Sequence, residues 1–138
     1  MGVVEDVQSY LVSEGVVDGS TDWPSVRRNR HDDSDRLVVI TEDGGPAPQI
    51  ARDEGIGDAA VKDCGVHILV RAERQNGDAA YEKAREIMDA LHGLAGEELG
   101  STEYIRVMAL TSEPVFLRDE TERPLFTIAF RLMAPVGA

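Results

Sequence analysis

The stretch Leu117-Arg-Asp-Glu-Thr-Glu-Arg-Pro-Leu-Phe-Thr-Ile-Ala-Phe-Arg-Leu-Met133 decides the fold. Its second half alternates. Phe126, Ile128, Phe130 and Leu132 share one face, and Leu125, Thr127, Ala129, Arg131 and Met133 share the other, which is the period of a half-buried strand over residues 125–133. Its first half is an acidic turn that carries Arg118 and Arg123.

Upstream, Tyr104, Arg106, Met108 and Leu110 alternate with Ile105, Val107 and Ala109, predicting a strand over residues 104–110. Before it, Tyr81, Ala84, Ile87, Met88, Leu91, Leu94 and Ala95 recur at helical spacing, with Glu82, Lys83, Arg85, Glu86 and Asp89 on the other side. That stripe predicts an amphipathic helix over residues 78–95, with Asp78 near its N-cap and its end near Leu94.

Further upstream, Val66, Ile68 and Val70 oppose His67, Leu69 and Arg71 in a strand over residues 66–72, and Leu37-Val-Val-Ile-Thr41 is a strand by β-branched content. Val3, Val4, Val7, Tyr10 and Leu11 predict an N-terminal helix closed by Gly15, with Glu5 and Asp6 at its positive end. Residues 42–48 read as a turn or extended loop, and residues 50–63 have no readable pattern.

The order is therefore α-β-β-α-β-β. It predicts a single α+β domain over residues 1–138, with a four- to five-stranded, mostly antiparallel sheet and two helices packed on one face. The other sheet face, carrying His67, Arg71, Arg106, Met108 and Leu110, is mixed in character and suits a subunit contact.

The chain has 138 residues, enough for one core, and its 5% aromatic content makes that core mostly aliphatic. Its formal charge of −12 disfavours nucleic acid as a partner unless basic groups gather on one face. Arg27, Arg28 and Arg30 are the one such cluster, and Asp32, Asp33 and Asp35 follow at once, as in a solvated loop of mixed charge. The N-terminus lacks a signal-peptide pattern and no apolar run is long enough to span a membrane, so a soluble protein made in the cytoplasm is expected.

No chemistry converges in the sequence. Cys64 stands alone and reads as a buried thiol in a reducing compartment. His31-Asp32-Asp33 lacks a further ligand at metal spacing, and His67 and His92 read as structural. Asp119, Glu120 and Glu122 read as a solvated turn, and Gly55-x-Gly57 neither follows a clear strand nor opens a helix. The expectation is a protein that is not an enzyme and takes no cofactor or metal. A small-ligand-binding α+β domain is the other class, its pocket built around His67, Arg71 and Arg106. An acidic DNA mimic has only the charge in its favour.

The strand at residues 66–72, the helix at residues 81–94 and the stretch from Pro114 to Met133 together resemble tail terminator proteins (minor capsid, tail completion proteins) of long-tailed bacteriophages. The N-terminal helix and the Gly44-Gly-Pro-Ala-Pro48 loop also suit that family. The resemblance implies a virion protein that forms a ring, usually hexameric, on the head-proximal end of the tail tube. It implies as partners further copies of itself, the tail tube protein and a head-completion or neck protein, with DNA passing through the lumen unbound and no membrane. A head-tail adaptor or stopper of the neck is the nearest alternative. Trp23, Arg27, Arg28, Arg118, Asp119, Glu120 and Arg123 are the expected interface residues, because charged loops beside an apolar sheet set register and partner choice. Trp23 has the competing reading of a core-edge residue.

Overall fold

A computed structural model describes residues 2–17, 23–28, 35–43, 49–50, 60–118 and 122–135. The elements run α1 (Val3–Ser13), β1 (Ser25–Arg27), β2 (Leu37–Glu42), β3 (Gln49–Ile50), β4 (Ala60–Arg71), α2 (Gly77–Leu91), β5 (Ala95–Leu99), β6 (Thr102–Ala109), β7 (Val115–Arg118) and β8 (Pro124–Pro135).

The expected sheet of four to five strands is overturned. Among the described residues, eight strands form one curled, mixed sheet in the order β1-β2-β4-β8-β6-β5, with β3 added to β4 and β7 added to β8. Among these described strands β1 pairs parallel with β2, and the other pairs are antiparallel. The surplus has a simple origin. β4 and β8 are 12 residues each, long enough to carry two short strands in tandem along the same edge. β2 and β3 share one edge of β4, and β6 and β7 share the far edge of β8.

One aliphatic core joins both helices to one sheet face. Val4, Val7 and Leu11 of α1 and Ala84, Ile87 and Leu91 of α2 meet Ile40, Ile68, Ile128 and Phe130, all essentially inaccessible. The alternation read in β4 and β8 is the one observed: Val66, Ile68 and Val70 pair with Phe130, Ile128 and Phe126 in the same rows.

The opposite face, expected to be mixed in character and suited to a subunit contact, carries buried groups as well. Leu37, Val39 and Leu125 lie on it and are buried, as is Arg71, whose Nε donates to Asp35 C=O at 3.3 Å. His67 and Arg106 stay exposed, so Arg71 does not join them in an open pocket.

The end of α2 and the alternation of β6 are also corrected. α2 stops at Leu91, because His92 turns extended and Gly93 takes a φ of 88°. Gly93 N–H donates to Val107 C=O and Val107 N–H to Leu94 C=O, which is a bulge with glycine at its left-handed position. Ala95, expected to end the helix, begins β5 instead. In β6 the alternation slips. Tyr104 and Val107 are both buried, since β6 first runs beside β5, where Tyr104 reaches Asp6 of α1, and pairs with β8 only from Arg106 to Ala109.

Candidate assembly surface

Val115-Phe-Leu117, the apolar and β-prone part of β7, follows Pro114, which cannot donate to a ladder, so the strand starts after it. Pairing with β8 places Val115 beside Thr127, Phe116 beside Phe126 and Leu117 beside Leu125. Phe116 therefore faces the helices. Its ring meets Phe126 edge-on at 5.3 Å, and Phe126 in turn meets Tyr81 of α2 at 5.5 Å. Val115 and Leu117 point to the opposite face.

All three side chains remain 46–49% exposed, because among the described residues β7 pairs on one edge only. Leu110, whose N–H donates to Ala129 C=O, and Met108, paired with Arg131, extend the row on the same side as Val115 and Leu117. The result is a strip of exposed apolar groups along an open sheet edge, a combination that monomeric proteins normally cover or charge.

Two grooves flank this edge. One, of about 410 Å³, is lined by Arg74, Gln75, Gly77, Phe116, Glu122 and Pro124, and Gln75 and Glu122 both hold left-handed backbone, with φ of 64° and 62°. The other, of about 470 Å³, includes Arg85, Met88, His92 and Leu110. There His92 Nδ1 accepts the Ala109 N–H at 3.0 Å, so the ring braces the end of α2 against β6.

The residues expected at an interface fall into separate places. Arg27 and Arg28 lie at the end of β1, on the other side of the sheet from β7. Arg28 bridges Glu5, at 2.8 Å, and Glu42, at 2.6 Å, and Arg27 reaches Glu5 at 3.3 Å. The Arg28 hydrogen bond pulls the Glu5 carboxyl down to about 2. Trp23 is buried, with Arg36 and Lys83 over its ring at 5.2 and 5.7 Å, which is the core-edge role. Arg36 in turn grips Glu73 through two 3.0 Å bonds and holds its carboxyl at about 2. Arg123 reaches Asp35 at 3.5 Å. Arg118 contributes its backbone to the end of β7 opposite Pro124, while Asp119 and Glu120 lie outside the described residues, as does His31.

Sequence reasoning missed Val115, Phe116 and Leu117, placing no strand immediately before the acidic turn. Their signal was three consecutive apolar residues between a proline and an acidic run. Chemically the site offers contact: among the described residues no three His, Cys, Asp or Glu gather as metal ligands, and burial pushes the Cys64 thiol pKa up, away from a reactive thiolate. None of the described helices is long and apolar enough to cross a membrane.

A family model described as bacteriophage tail terminator protein matches residues 10–134. No curated protein matches the chain.

Proposed function

The chain belongs to the bacteriophage tail terminator family, a structural protein of phage tails, and from that premise we propose that it closes into a ring on the head-proximal end of the tail tube. The ring, six copies in this reading, stops addition of further tube layers. Its other side meets the head-completion proteins of the neck and so joins tail to head. The observation that carries this reading is the β7 edge, where three consecutive apolar side chains stand about half exposed on a strand that, among the described residues, pairs only with β8. Such an edge is stable in solution once a neighbour covers it.

Charge supports passage of DNA without adhesion. Six copies at −12 each sum to −72, and acids on the channel wall repel phosphates. A ring whose channel wall proved basic would contradict this part.

The test is polymerisation of tail tube protein with and without this chain. Shorter tubes, each with added density at one end in electron micrographs, are expected. An unchanged length distribution with bare ends contradicts the reading. Binding to neck proteins alone assigns the adaptor role instead.

A further inference from the structure

We propose that neighbouring copies join through unlike sheet edges, the β7 edge of one protomer pairing antiparallel with the β1 edge of the next. This rests on the ring reading and specifies its contact.

The register carries the argument. Among the described residues, one half of the sheet is a five-strand row, β1-β2-β4-β8-β7, with no further strand paired beyond β1 or beyond β7. Following the pairs across it, Ser25 lies in the same row as Val38, Val70, Phe126 and Phe116, and Val26 in the same row as Val39, Leu69, Thr127 and Val115. The two open edges therefore stand at the same height on opposite sides of the molecule. Their directions also agree. β1 runs parallel to β2, and three antiparallel steps then leave β7 antiparallel to β1. A rotation about an axis along the strands preserves these directions. The next copy's β1 then meets β7 as an ordinary antiparallel partner, and repetition of such an unlike contact closes a ring.

The backbone groups are available. Val38 N–H donates to Pro24 C=O and Arg28 N–H to Ile40 C=O, so even-numbered residues spend their groups on β2, while Ser25 and Arg27 aim theirs at the open edge. The Gln8 amide rests on Ser25 C=O at 3.3 Å, a long bond that a neighbour's N–H can replace.

The charges at the two edges are complementary. Arg27, 46% exposed, ends β1 in the row of Ile128. Glu113, 60% exposed, stands two residues before Val115 at the matching end of β7, already steadied by the Tyr81 hydroxyl at 2.7 Å and by Arg85. The pairing covers the Val115–Leu117 strip and sets Arg27 of one copy against Glu113 of the next.

The test is a disulfide between rows. In a Cys64→Ser background, Val26→Cys and Val115→Cys are combined. Within one chain these positions lie four strand spacings apart, about 19 Å, whereas a disulfide needs Cα atoms within about 7 Å. Oxidation is expected to give a ladder of covalent oligomers ending in one closed species, and neither single variant gives a bond. Ser25→Cys with Phe116→Cys repeats the test in the adjacent row. Dimers from Val115→Cys alone mean that β7 meets β7, which overturns the proposal. So do double variants of both rows that form rings by electron microscopy yet never cross-link, an outcome that leaves the ring reading standing. A native chain that never associates, alone or on tube ends, removes the ring and this contact together.

Discussion

The Tyr104 hydroxyl donates to Asp6 Oδ2 at 2.8 Å, tying the first helix to β6 across 98 residues of sequence. Asp6 is 1% exposed, and its other oxygen accepts from Ser101 N–H at 3.3 Å and the Ser101 hydroxyl at 3.4 Å. Gly100 makes room, since a Cβ there would come within 2.9 Å of Asp6 Cα at a φ of 60°. Asp6→Ala leaves the Tyr104 hydroxyl without its acceptor, and Tyr104→Phe leaves one carboxylate lone pair empty. Each is expected to cost about 1–3 kcal/mol, Asp6→Ala the more, measured by urea unfolding. Burial and the Asp6 bond raise the Tyr104 pKa above the ordinary 10.0, so the unfolded chain releases this proton first. Stability from this group is complete below pH 10 and declines as pH rises further; Tyr104→Phe should weaken that alkaline decline.

Among the described residues Phe130 is the largest fully buried side chain, and it sits in the row of Val66. Phe130→Ala is expected to cost about 3–5 kcal/mol in chemical unfolding. A loss below 1 kcal/mol would mean that the core is packed otherwise.

Much of this was legible. The stripes of α1 and α2 and the alternation of β4 and β8 each repeat over several residues, and each repeat is enforced by the same core. β1, β5 and β7 were not legible, because three to five residues give no period and their pairing comes from distant strands. β5 even reads Ala-Gly-Glu-Glu-Leu, with no β-branched residue; the Gly93 bulge and β6 make it a strand. Asp6 read as an acid beside the helix dipole, and its burial depends on a hairpin 95 residues away. At the candidate surface the charges were visible and the apolar edge was not.

Acid should expose the ion pairs. Glu5 and Glu73 are held at about 2 by arginine hydrogen bonds, against an ordinary 4.5. A lowered folded-state value means that the stabilisation is present above pH 4.5 and is lost as pH falls towards 2. The thermal midpoint should drop over that window. Glu5→Gln with Glu73→Gln should lower it at pH 7 and flatten the drop; an equally steep acid decline in the double variant would contradict the assignment.

Phe116 separates folding from assembly. Its ring pair with Phe126 is worth about 0.5–1.5 kcal/mol, so Phe116→Ser should unfold only slightly earlier than the native chain. Its association should weaken at least tenfold in sedimentation at matched concentrations. Unchanged association would remove the β7 edge from the interface.

The central claim is that this chain works as a closed ring, and native mass measurement of the purified protein, alone and after incubation with tube ends, tests it most directly. The expected result is one discrete species of six copies of the 15.0 kDa chain, about 90 kDa, either free or recovered from capped tubes. A 15.0 kDa monomer at every concentration, with nothing retained on tube ends, would contradict it.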